Sequence, residues 1–207
     1  MYTDWLLLAK EWGALMRRPM PTLESGLIDA STTLYNLAGF AVHGDEMLAT
    51  CQSEGRPISV AVFDCTDLLE VRAIYGSRTA RKLASRIVSK LSALTGDCGL
   101  AARTGPAEFS VVLPGMCRDK AFAAIHRVLG NPGRIELDGC DSEIVLVPGV
   151  LVENAGCDAA SVEELRDELR RELARQKAYE QRRHHLMQRE RERHSRPMRL
   201  VARTTAA

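Results

Sequence analysis

The sequence predicts an α/β (α+β) fold with a mainly antiparallel central sheet flanked by helices. Three observations carry that expectation. Residues 58–63 form a short β-branched run bounded by turn residues. Residues 100–103 and 109–113 face each other across a tight turn, which is the pattern of a hairpin. Runs with helical periodicity lie before, between and after these strands.

Taken in order, residues 2–16 place Trp5, Leu8, Trp12 and Leu15 at three- and four-residue spacing, which predicts an amphipathic helix. Arg17 and Arg18 suit its C-terminal end, and Pro19 and Pro21 stop it. Its apolar stripe packs either on its own domain or on a partner. Residues 23–33 read as a polar connector, followed by a helix over 34–52 and a turn at Gly55-Arg56-Pro57. The strand at 58–63 ends at Asp64. A helix over 78–94 presents Leu83, Ile87, Val88 and Leu91 on one face and ends at Gly96. After the hairpin, Pro114-Gly115 leads to a helix over 120–129, which Asn131-Pro132-Gly133 breaks. A short strand is expected at 135–137 and another at 144–152, where Pro148-Gly149 suggests a bulge or an edge. The last helix begins near Ser161 with a capping box, Ser161-Val162-Glu163-Glu164. Strand, helix, hairpin, helix, strand is a ferredoxin-like plan.

Composition narrows the setting. Of 207 residues, 45% are hydrophobic and 27% charged, as in soluble globular proteins. A formal net charge of +1 gives no global attraction to nucleic acid or to anionic membrane. No apolar run is long enough to cross a bilayer, and the N-terminus, with Asp4 early and its arginines late, has the wrong order for a secretory signal. Cys51, Cys65, Cys98, Cys117, Cys140 and Cys157 form no C-x-x-C pair, so reduced thiols in a cytoplasmic protein are expected. His184, His185 and His194 are far from any cysteine pair, which argues against zinc.

The C-terminal part carries uneven charge. From residue 165 to 203 there are thirteen Arg or Lys against six Asp or Glu. Val162, Leu165, Leu169 and Leu173 form a stripe that should dock on the sheet, whereas the sequence beyond Ala174 is polar nearly all round. A helix reaching residue 194 would be roughly 50 Å long. The default reading is a solvated charged helix. A docking or oligomerisation arm comes second, and the lack of interleaved aromatics argues against nucleic acid. Residues 195–207 are expected to be disordered.

Three stretches then resemble the GGDEF family. Asp29-Ala30-Ser31-Thr32-Thr33-Leu34-Tyr35-Asn36-Leu37-Ala38-Gly39-Phe40 is similar to that family's D-x-L-T-G-L-Y-N-R-R-x-F, without its glycine and both arginines. The strand ending at Asp64, with Gly76 twelve residues on, is similar to D-x-D-x-F-K…G-H. Arg103-Thr104-Gly105-Pro106-Ala107-Glu108-Phe109, followed by an apolar strand and Pro114, is similar to R-Y-G-G-D/E-E-F-x-x-x-L-P. Leu173 and Lys177 fall where the family's A-L-Y-x-A-K helix has its Leu and Lys. The resemblance covers residues 29–181, leaving an N-terminal helix and connector (1–28) and a basic C-terminal extension and tail (182–207). Only about 28 residues precede it, so no upstream sensor domain is expected on this chain.

The resemblance implies a nucleotide-cyclase-like core, and in an active member the joining of two GTP molecules into cyclic di-GMP. That reaction needs positioning and divalent metals on carboxylates. By resemblance the metal positions are Asp64, Cys65 through its carbonyl, and Glu108, and Lys177 matches a phosphate-contacting lysine. Ala107 occupies the first acid position of the signature loop, where a methyl group can neither hold a metal nor orient a hydroxyl. Pro106 replaces the second glycine and removes an N–H donor that would face phosphate. A type II′ turn with positive φ at Gly105 alone would still let the hairpin form. The guanine-reading positions fall at Arg72 and Arg81, which only donate and would demand a different binding pose. The product-inhibition stretch R-x-x-D is replaced by Gly96-Asp97-Cys98-Gly99, against binding of cyclic di-GMP there. These departures imply a catalytically inactive regulatory or protein-interaction module of bacterial cyclic di-GMP-type signalling. It would need no cofactor, with Mg or Mn entering only alongside residual nucleotide binding. Its partner would be another protein, met through the N-terminal helix or the basic C-terminal helix, or a second copy of itself; GTP, nucleic acid and membrane are disfavoured. The alternatives are a divergent active cyclase and a nucleotide sensor without turnover. Asp64 as a simple strand end and Glu108 as an exposed hairpin residue are the plain readings beside these roles.

Overall fold

A computed structural model describes residues 26–130, 133–137, 144–156 and 158–195, with side chains through residue 188. The expected N-terminal helix, the tail from residue 196, Cys140 and Cys157 lie outside the described residues. The order of elements is α1 (Leu37–Ser53), β1 (Ile58–Asp64), α2 (Asp67–Thr95), β2 (Leu100–Arg103), β3 (Glu108–Pro114), α3 (Arg118–Leu129), β4 (Ile135–Leu137), β5 (Ile144–Leu146), β6 (Gly149–Asn154) and α4 (Val162–Ser195). Strands β2-β3-β1-β6 form one antiparallel sheet, and β4 and β5 form a separate ribbon.

Alternation along the central strands divides the core in two. Ala61, Phe63, Phe109, Val111 and Leu113 face α2 and α3, meeting Leu83, Ile87, Leu91 and Ile125. Val60, Val62, Ala102 and Val112 face α1 and α4, meeting Phe40, Leu48, Val162 and Leu169. Because β1 is central and covered on both faces, it is apolar on both sides apart from the buried Ser59. Among the described residues no helix is long and apolar enough to cross a membrane.

Several boundaries depart from the sequence expectation, each for a local reason. Helix α1 starts at Leu37, not 34, because Asn36 caps it: its Oδ1 accepts from Gly39 N at 2.9 Å. Residues 26–36, read as a connector, instead fold back, with Ile28 bridged to Tyr35 and Tyr35 to Ala102 of β2. Thr33, where the resemblance has glycine, has φ 61°. The helix expected from 78 begins at Asp67, eleven residues earlier, and is broken at Gly76 by φ 83°, ψ 168°. Gly96, with φ 54°, terminates it as expected. The strand expected over 144–152 is two strands in different sheets, interrupted at Val147-Pro148. Helix α4 starts at Val162, with Glu164 N donating to Ser161 Oγ at 3.1 Å and Val162 N to Asp45 Oδ1 of α1 at 2.8 Å.

The signature turn also differs. Gly105 is not among the residues of positive φ, so the hairpin is not closed by the expected type II′ turn. Thr104 N and Gly105 N both donate to Glu108 O, at 3.0 and 3.2 Å, which makes Thr104–Ala107 a four-residue connection. Arg103 holds it from beneath.

Candidate functional site at the β2–β3 hairpin

Arg103 crosses the hairpin from the end of β2. Its Nε donates to Gly105 O at 3.2 Å and its Nη2 to Pro106 O at 2.7 Å. Its Nη1 reaches Ser31 Oγ and, at 3.5 Å, Asp29 Oδ1. Asp29 in turn accepts from Ser31 N at 3.1 Å and Thr32 N at 2.9 Å, and from both hydroxyls. Burial disfavours the Asp29 charge, but these hydrogen bonds and Arg103 outweigh it and lower its pKa. The opening motif and the signature loop, some seventy residues apart, are thereby one network.

On the other side of the hairpin, Asp64 at the end of β1 and Glu108 at the start of β3 are register partners. Lys177 Nζ of α4 lies 2.7 Å from Asp64 Oδ2. Asp64 Oδ1 accepts from Thr66 N at 2.9 Å and from Thr66 Oγ1. Burial works against the Asp64 charge, yet the donors from Lys177 and Thr66 outweigh it and lower its pKa. Glu108 Oε1 accepts from Thr104 Oγ1 at 2.8 Å, and its Oε2 pairs with Arg170 Nε of α4 at 3.2 Å. Ala107 is buried, and its carbonyl oxygen accepts from Cys65 N at 2.8 Å. Burial first, and the Asp64 charge second, push the Cys65 thiol up to about 12.

A cavity of about 580 Å³ lies between α2 and the loop side of the hairpin. Arg72, Arg81, Arg103, Pro106, Ser31, Thr32 and the apolar Leu68, Leu69, Ala84 and Val88 are among the described residues lining it, and no carboxylate is.

The sequence profile of the family described as "Diguanylate cyclase, GGDEF domain" matches residues 27–132, just over half of the chain. The chain belongs to the GGDEF family. A comparison with curated protein sequences returned no significant match. Among solved structures, the GGDEF domain of DgcB from Caulobacter crescentus in complex with c-di-GMP is similar at 16% identity and a TM-score of 0.64, covering 78% of this chain and 92% of that one. The FimX GGDEF domain from Pseudomonas aeruginosa is similar at 20% identity and TM-score 0.60, covering 70% and 90%. Diguanylate cyclase SiaD from Pseudomonas aeruginosa, in complex with its activator SiaC, is similar at 18% and 0.57, covering 73% of this chain and 58% of that one. These likenesses bear on the fold.

The structure of this GGDEF domain brings Asp64, Glu108 and Lys177 together against α4, packs the Cys65 and Ala107 side chains in the core beneath α2, and sets Arg72 and Arg81 on the cavity beside α2. The implied divalent metals can be tested against the donor set. All four carboxylate oxygens of Asp64 and Glu108 already accept from a protein N–H or O–H, and cationic nitrogens occupy one side of each. The described residues contain no group of three His, Cys, Asp or Glu able to hold an ion. The set as folded does not fit a hard divalent cation, which wants several oxygens facing it.

The sequence alone does not mark Arg170 as a site residue, and it places Arg103 in the signature stretch without a role. Arg170 and Lys177 are seven residues apart and so lie nearly on one face of α4. With Leu173 buried between them, that spacing is the available signal.

Proposed function

We propose that this GGDEF domain is a non-catalytic regulatory module of bacterial cyclic di-GMP-type signalling that works through contact with another protein. One observation carries the reading. Around Ala107, the two remaining acids are closed on cations from the domain's own last helix, leaving no carboxylate oxygen free for metal-bound triphosphate. Pro106 adds a missing N–H at the turn, and its carbonyl is taken by Arg103. The partner would meet the exposed stretch of α4, where Tyr179, Leu186 and Met187 present apolar surface among charges. SiaD with its activator SiaC is a precedent for a protein partner in this fold. Cytoplasmic placement is supported by free Cys51, Cys65, Cys98 and Cys117.

A divergent active cyclase is the second reading, favoured by the direct pairing of Asp64 with Glu108 across β1 and β3. One assay separates the two. Purified protein with GTP and magnesium or manganese is expected to yield no cyclic di-GMP above a protein-free control, and measurable product would overturn the inactive reading. Under the inactive reading, Ala107→Asp is the change that could raise product from nil; under the active one it alters an existing rate only modestly.

A further inference from the structure

In an uninterrupted α-helix, residues nine apart point about 180° away from each other and are about 14 Å apart along the axis. Arg72 and Arg81 stand in that relation within α2, yet both line the same cavity. The break at Gly76 is what permits it. Its φ of 83° with ψ of 168° is a conformation restricted essentially to glycine, and it redirects the chain between the two arginines. An ideal Cβ built at Gly76 meets nothing within 4 Å, so the requirement for glycine is one of backbone and not of space.

We propose that this cavity binds a small organic anion, its oxyanion group held by Arg72 and Arg81 and its apolar body resting on Leu68 and Val88. The inference rests on the reading that the pocket has left the pairing of GTP. Arg72 has no hydrogen bond or ion pair among the described residues, and Arg81 uses only Nε, donating to Ser77 O at 3.4 Å. Arg103, by contrast, is committed to Asp29, Ser31 and the loop carbonyls and forms wall. A guanidinium only donates, in a planar fork that matches carboxylate or phosphate oxygens. With no acid among the described lining residues to neutralise them, the two arginines select an acceptor-rich ligand. An uncharged purine offers the two guanidiniums only neutral acceptors, such as guanine O6 and N7, and no charge to balance them.

Titration calorimetry of the full chain tests this with phenyl phosphate, benzoate and guanosine. Binding of phenyl phosphate or of benzoate, weakening with added salt, is expected, and the stronger of the two identifies the oxyanion. Guanosine is expected not to bind. Arg72→Met with Arg81→Met should weaken the anion about tenfold or more, and Gly76→Ala should weaken it with both arginines in place. Both arginine side chains are exposed, so the double variant should keep its melting temperature; should it unfold, Arg72→Lys with Arg81→Lys keeps charge, loses the fork and should still weaken binding. Three results overturn the proposal: guanosine binding as tightly as the anions, anion binding indifferent to the arginine variants, or no heat from either anion at about 1 mM. Cyclic di-GMP formation, measured separately, would remove the inactive reading without deciding these binding results.

Discussion

Asp64 and Asp29 are the side chains whose charge the fold has most clearly committed. Each is partly buried, which alone would raise its pKa, and each is lowered because hydrogen bonds and a neighbouring cation outweigh that burial. A carboxyl whose folded pKa lies below its ordinary value of 3.8 stabilises the fold fully above that value. The contribution fades as pH falls through the folded value. The urea midpoint should therefore hold steady from neutrality to about pH 5 and decline below about pH 4. Lys177→Met should flatten part of that decline by returning Asp64 toward its ordinary range. An unchanged acid limb in the variant would mean that Lys177 does not set the Asp64 charge. Cys65, its thiol raised to about 12 by burial and by Asp64, stays protonated at neutral pH and acts as an apolar filler under the site. Asp64, Cys65, Ala107 and Glu108 are legible in the sequence because they sit in a recognisable order. The cations that neutralise the two acids are harder to see. Arg170 meets Glu108 only because α4 returns across the sheet, a relation that local spacing cannot express.

Strands β1 and β3 were legible because both are central and buried, so mostly apolar runs, each broken by one serine (Ser59, Ser110), mark them. Helix starts were harder. Asn36 could have been read as a cap, but Leu34 and Tyr35 extend the apolar pattern backwards and mask the true boundary. At Gly105, a glycine near a hairpin tip suggests positive φ, whereas here the side chain of Arg103 fixes the loop through its carbonyls. The entrance to α1 is tightly built. At Gly39 an added Cβ would collide with the Leu27 carbonyl oxygen and lie 2.7 Å from Tyr35 Cδ1. Backbone cannot yield there without opening the fold-back of residues 26–36. Gly39→Ala should cost about 1–3 kcal/mol or more in urea unfolding. A loss below about 0.5 kcal/mol, the size of an ordinary surface change, would refute this account of the junction.

Over the whole molecule, α4 divides into a packed half and a free half. Val162, Arg166, Leu169 and Leu173 are buried, while residues 181–188 are all exposed. Arg166 lies on that same buried face, four residues after Val162 and three before Leu169, and its Nε and Nη1 lack partners among the described residues. Deleting residues 182–207 should leave the melting temperature within about 2 °C of the full chain, since it removes no buried side chain among the described residues. The same truncation should abolish capture of a protein partner if that contact lies on the free half. A large fall in melting temperature would instead mean that the extension packs on the domain.

The root of that helix is pinned three times: to Asp45 of α1 at its first turn, to Glu108 through Arg170, and to Asp64 through Lys177. Beyond Lys177 it is a cantilever. Residues 178–195 continue for about 27 Å, so a tilt of about 10° at the root carries the tip through about 5 Å. Any change that loosens one pin at the hairpin is thus magnified at the far end, so an event at Asp64 or Glu108 is converted into displacement elsewhere.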